Sequence, residues 1–273
     1  MICAWKELLG ILPIWLREDV DRQGREDLQE LRLRVDSEPE LITGKGISRL
    51  ERPIKGEDIR FCINAATRYS PWTASGVSHG YITAPGGHRI GLCGEVAVKD
   101  LEVVSFKEIT SVNIRVARDI PEVADRLNNV TESALILGAP GWGKTTLLRA
   151  LARNIAADHT VSVVDERGEL FPTGILRGKR MDVLTGCSKD AGINMVLRAM
   201  GPEWIAVDEI TAYRDSEALL QAVGCGVKLL ATAHAASLED FKSRKIYHSL
   251  LDRGIFHKMI VLRRDKSYHM ERI

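Results

Sequence analysis

The stretch "ALILGAPGWGKTTLLRALARNIA", Ala134 to Ala156, decides how the rest of the chain reads. An apolar run ends at a glycine, a loop matching G-x-x-x-x-G-K-[ST] runs from Gly138 to Thr145, and an amphipathic helical pattern follows. The glycines let the backbone curl so that its N–H groups converge on phosphate oxygens. The start of the helix adds the positive end of its dipole. Gly138, Ala139, Pro140, Gly141, Trp142, Gly143, Lys144, Thr145 and Thr146 are therefore the expected nucleotide-binding residues. Lys144 should reach the β- and γ-phosphates, and the Thr145 hydroxyl should ligate Mg²⁺. ATP and Mg²⁺ are the expected ligands. Trp142 is large for such a loop and reads as packing on the adjacent domain or as shielding the nucleotide.

Downstream, "WIAVDEI" is an apolar run ending in Asp208 and Glu209. Acids at the C-terminal end of a strand lie at the ligand-binding edge of a parallel sheet. Asp208 can hold Mg²⁺ through water, and Glu209 can orient or deprotonate an attacking water. "LLATAH" ends another apolar strand at His234, whose expected partners are the γ-phosphate or Glu209. A second acidic cluster, "VVDERGEL", lies between loop and "WIAVDEI" and contains Asp165, Glu166 and Glu169. A single nucleotide site does not obviously need both clusters.

From Ala134 onward apolar strands alternate with amphipathic helices, which predicts a mostly parallel sheet covered on both faces. The preceding residues have a different texture. "LRLRV" alternates at period two, "GEDIRFCINAATRYS" places Ile59, Cys62, Ile63 and Ala66 on one helical face, and "GYITAPGGHRIGLCGEVAV" reads as a hairpin turning at Pro85-Gly86-Gly87. "VVSF" and "SVNIRVA" read as two further strands. This predicts a small α+β domain over residues 1–125 and an α/β domain over 126–273, joined by the polar stretch "RDIPEVADRLNNVTES". The apolar N-terminus is interrupted by Lys6, Glu7 and Pro13, which excludes a membrane span and reads as a short helix packed on the first domain or as a docking element for a partner or membrane surface.

The 38 basic and 37 acidic residues leave a formal charge of +1, a poor footprint for a dedicated nucleic-acid binder. The five scattered cysteines form no Cys-x-x-Cys pair, which argues against a disulfide framework or zinc site and fits a reducing cytoplasm.

The order of the four motifs resembles that of the secretion ATPase superfamily, the hexameric motors of type II and type IV secretion and pilus retraction. "SHGYITAPGGHRIGLCGEV", "VVDERGEL", "DVLTGCSKDAG" and "GVKLLATAHAASLEDF" bring it nearest to a sporulation branch of that superfamily, encoded with a transenvelope complex linking mother cell and forespore. The resemblance implies a RecA-like motor domain after a PAS-like domain. It also implies an Asp box in which Asp165, Glu166 and Glu169 help to position Mg²⁺ and water. Arg89 and Arg115 match arginines that approach the phosphates from the first domain. A homohexamer, peripheral to the inner membrane on the mother-cell side and recruited by membrane-embedded channel subunits, is implied in the same way. The chain departs from the superfamily at Asp208, where many members carry a small residue, and in "HAAS", which lacks the threonines of pilus motors. Two other functions stay open on the sequence: a nucleic-acid translocase with the same core, and an ATP-gated scaffold with little turnover.

Overall fold

The computed structural model describes residues 3–68, 80–100, 102–127, 130–172 and 175–272. Tyr69 and Ser70 of the expected helix, Ser78 and His79 of the family-like stretch, and Asn128 and Asn129 of the polar stretch lie outside the described residues. The chain divides into two compact units, one of residues 1–119 with 172–175, the other of residues 120–171 with 176–273.

In the first unit the apolar N-terminus forms two helices, α1 (Trp5–Gly10) and α2 (Ile14–Gly24), because Pro13 ends one and sits as N-cap of the next. Leu8, Leu12, Leu16 and Val20 are fully buried. The strands are β1 (Leu28–Arg34), β2 (Glu40–Thr43), β3 (Gly46–Arg49), β4 (Tyr81–Thr83), β5 (Arg89–Lys99) and β6 (Glu102–Arg115). They form an antiparallel sheet in the order β3-β2-β1-β6-β5-β4. Leu31 and Leu33 point into a core shared with α2 and with α3 (Gly56–Ala66), which contributes Ile59, Cys62 and Ala66. Alternate residues Glu30, Arg32 and Arg34 take the other face, as period-two patterning requires. "VVSF" and "SVNIRVA" are not separate strands. Both belong to β6, whose polar middle pairs along β5 through backbone bonds that are indifferent to side-chain polarity.

The second unit contains β7 (Ala134–Leu137), α4 (Lys144–Ile155), β8 (Val161–Asp165), β9 (Met181–Thr185), α5 (Lys189–Ala199), β10 (Trp204–Val207), α6 (Tyr213–Gly224), β11 (Lys228–Ala233), α7 (Leu238–Ser243), α8 (His248–Asp252), β12 (Lys258–Leu262) and β13 (Tyr268–Arg272). The sheet order is β13-β12-β7-β11-β10-β8-β9, parallel except for β13 against β12. Strands β7, β8 and β10 are buried at every position, which is why they read as unbroken apolar runs. Leu135, Leu137, Ile205, Val207 and Leu229 join Ile193, Val196 and Leu219 of α5 and α6 in the core. Because the strands are parallel and β11 lies between β7 and β10, the C-terminal ends of β7, β11, β10 and β8 line up along one edge. Part of the polar stretch forms a 3-10 turn, Pro121–Leu127. All five cysteines are unpaired. Among the described residues no helix is long and apolar enough to cross a membrane.

Candidate functional site

The glycine-rich loop joins β7 to α4. Gly141 (φ 75°) and Gly143 (φ 100°, the N-cap of α4) adopt left-handed backbone, which explains glycine at both places. Lys144 is buried, with Nζ 3.2 Å from the Ala139 carbonyl and 3.3 Å from Nδ1 of His234. Burial pulls the Lys144 ammonium below the usual lysine range, while the carboxylates of Asp208 and Glu209 oppose that shift. Trp142 is half-buried.

Asp208 and Glu209 follow β10. The Thr145 hydroxyl donates to Asp208 Oδ2 at 2.7 Å, and the Thr232 hydroxyl, from β11, donates to Asp208 Oδ1 at 2.5 Å. Glu209 has φ 56°, a strained conformation for a residue with a Cβ. Its N–H donates to Thr232 Oγ1 at 2.7 Å, so one threonine holds both acids. His234 Nε2 lies 2.9 Å from Glu209 Oε1. With the Lys144 ammonium donating to Nδ1, the ring carries its proton on Nε2 and donates it to Glu209. The structure therefore brings the loop, Asp208, Glu209 and His234 into one network.

The second acidic cluster behaves differently. Asp165, the last residue of β8, turns its carboxylate to the chain that follows. Its oxygens accept the N–H groups of Glu169 (2.9 Å), Leu170 (2.8 Å) and Phe171 (3.2 Å). Burial pushes the Asp165 carboxyl up, and those three donors work against it. Glu166 pairs with the buried ammonium of Lys189, at the start of α5. Lys189 Nζ also lies 4.0 Å from Asp215, whose carboxylate caps α6 by accepting the N–H groups of Thr211 and Ala212. The Glu169 carbonyl accepts from Arg149 at 2.8 Å.

In the first unit Arg89 and Arg115 sit directly opposite one another on β5 and β6. Arg89 stacks over the Tyr81 ring at 4.2 Å, and Arg115 lies 3.4 Å from Glu30.

Four side chains at the second unit's edge escaped the sequence reading. Thr232 is one and Lys189 another. Arg167, inside "VVDERGEL", reaches to 3.7 Å from Glu209 Oε2. Lys266, in the turn between β12 and β13, donates to the Gly141 carbonyl. Lys266 also lines a cleft of about 690 Å³ with Glu122, Val123, Asp125, Ser267 and Tyr268. The run "RRDKS" after an apolar strand was a usable signal for Lys266; nothing local marks the other three.

A glycine-rich loop feeding a helix, with acids and a histidine at the ends of neighbouring parallel strands, defines an α/β protein of the P-loop fold. Solved ATPases share the fold. The ATPase DotB of Legionella pneumophila superimposes with a TM-score of 0.62 at 15% identity, covering 96% of this chain and 80% of that one. The pilus retraction motor PilT, solved with bound ADP, gives a TM-score of 0.62 at 13% identity, covering 96% and 78%. The chain belongs to the family of sporulation stage III, protein AA, which it matches over residues 6–270. It is 34% identical over 284 residues to stage III sporulation protein AA of Bacillus subtilis, covering 96% of this chain and 92% of that protein. Protein SEEDLING PLASTID DEVELOPMENT 1 of Arabidopsis thaliana is 28% identical over 247 residues, covering 85% of this chain but 34% of that protein.

Proposed function

We propose that this chain is an Mg²⁺-dependent ATPase of the secretion-ATPase type, acting on a transenvelope channel between mother cell and forespore. The observation that carries the reading is the convergence of Lys144, His234 and Glu209 beside the Thr145–Asp208 pair. Lys144 and the loop N–H groups hold the β- and γ-phosphates. Glu209 accepts a proton from the water that attacks the γ-phosphorus, while His234 fixes the carboxylate's orientation. The cleft beside Lys266, about 690 Å³, is of a size to take a nucleoside.

The donors suit Mg²⁺. The Thr145 hydroxyl and the Asp208 carboxylate are hard oxygen ligands, already 2.7 Å apart. A small protein ligand set is what this ion takes when phosphates and waters complete its shell. Mg²⁺ bound there would neutralise charge on the phosphate oxygens.

The reading includes a PAS-like first domain, for which the antiparallel sheet with helices packed on one face speaks. It includes Arg89 and Arg115 as partners of the phosphate charge. That assignment rests on family resemblance. A homohexamer recruited by membrane-embedded subunits, on the cytoplasmic face of the inner membrane, completes the proposal and rests on family resemblance.

Binding and turnover test it together. Mg-ATP at 100 times its Kd stabilises a binding protein by about 2.7 kcal/mol. Lys144→Ala should remove most of that gain, whereas Glu209→Gln should keep the gain and lose hydrolysis. Turnover at the wild-type rate in Glu209→Gln would take the general-base role away from Glu209.

A further inference from the structure

In the cluster "VVDERGEL" the first two acids, Asp165 and Glu166, are committed to structure. Asp165 staples the following backbone through three N–H groups, and the Gly168 N–H closes the turn onto the Asp165 carbonyl at 3.2 Å. Glu166 is drawn to buried Lys189, itself tied to the cap of α6. What this braced turn presents to the catalytic edge is a cation. Arg167 stands at its apex with Nη1 3.7 Å from Glu209 Oε2, while His234 occupies Oε1 of the same carboxylate at 2.9 Å. Lys144, His234, Glu209 and Arg167 thus form a line of alternating partners across the ends of β7, β11, β10 and β8.

We propose that Arg167 is the residue by which the site tells a nucleoside triphosphate from a diphosphate. The inference rests on the ATPase reading and deepens it. A guanidinium binds phosphate oxygens through a planar fork and keeps its charge throughout. A γ-phosphate held by Lys144 carries more negative charge than the Glu209 carboxylate, which already accepts a hydrogen bond from His234. It therefore competes successfully for Arg167. The exchange leaves Glu209 Oε2 open to accept a hydrogen bond from the attacking water. A diphosphate has no group at that point, so Arg167 stays on Glu209 and the water position stays closed. The same arginine thereby links the presence of the γ-phosphate to Asp165, Lys189 and α6.

The test compares Arg167→Ala and Arg167→Lys with wild type in titrations of a non-hydrolysable ATP analogue and of ADP, with turnover measured alongside. In Arg167→Ala the analogue should bind about tenfold more weakly, the size expected for one charge-assisted bond. ADP affinity should stay within about threefold, and turnover should fall about a hundredfold, as when one transition-state donor is removed. Arg167→Lys should restore analogue affinity more than turnover, because it keeps the charge and loses the fork. Equal weakening of analogue and ADP, or unchanged affinity and rate, would overturn the assignment. A wild-type protein that neither bound nor hydrolysed ATP would instead remove the ATPase reading itself, and the two failures are told apart by that control.

Discussion

Replacing Asp165 separates a structural role from a catalytic one. The carboxylate is 3% exposed and accepts backbone N–H groups at 2.9, 2.8 and 3.2 Å, two of them from the buried residues Leu170 and Phe171. A hydrogen bond to a charged acceptor contributes about 1.5–3 kcal/mol, and a buried donor left unpaired costs about 1–3 kcal/mol. Burying the carboxylate offsets part of this, as its raised pKa records. Asp165→Ala should therefore cost about 4 kcal/mol, the sum for two buried N–H donors left unpaired. At roughly 2–4 °C per kcal/mol for a domain of this size, Tm should drop by about 10 °C. Asp165→Asn should cost less. Its amide oxygen can keep the bonds to Leu170 and Phe171, and it carries no charge for burial to penalise. Urea and thermal unfolding without nucleotide, followed by circular dichroism, measure the difference. An Asp165→Ala protein that melts within about 2 °C of wild type yet loses ATP turnover would refute the staple and return Asp165 to the metal site.

Thr232→Val keeps the shape of the side chain and removes the hydroxyl that donates to Asp208 and accepts from the Glu209 N–H. It should cost about 1–3 kcal/mol and slow turnover, because the strained Glu209 backbone loses its anchor; an unchanged Tm and rate would show that water replaces the hydroxyl. In the first unit His88 is fully buried, with Nε2 3.0 Å from the Ala4 carbonyl and Nδ1 accepting the Ala117 N–H. Burial lowers its pKa, so its contribution is complete above the unfolded value of about 6.5 and is lost as pH falls toward the folded-state value. The urea midpoint should fall from pH 8 to pH 5 in wild type and fall less in His88→Asn; equal slopes would assign the pH dependence elsewhere.

The phosphate loop was legible because its chemistry is local. The glycines that must take left-handed backbone, the lysine and the helix start all lie in one short segment. The buried strands were legible because a strand covered on both faces must be apolar throughout. The join of "VVSF" to "SVNIRVA" was not, because pairing along β6 is made by backbone groups that leave no mark on side-chain pattern.

The residue types at the C-terminal edge of the parallel sheet follow from the sequence alone: a lysine, a threonine, acids at strand ends, a histidine. Which of them meet was decided only by strand order. Inserting β11 between β7 and β10 sets Lys144 against His234 and hangs Asp208 and Glu209 on Thr232, and placing β8 beyond β10 sets Arg167 against Glu209. Sequence spacing says how far apart residues are along the chain, whereas a carboxylate's role depends on which donor lies within about 3 Å of it. That is why Asp165 reads as one more acid in a cluster and is found stapling a turn.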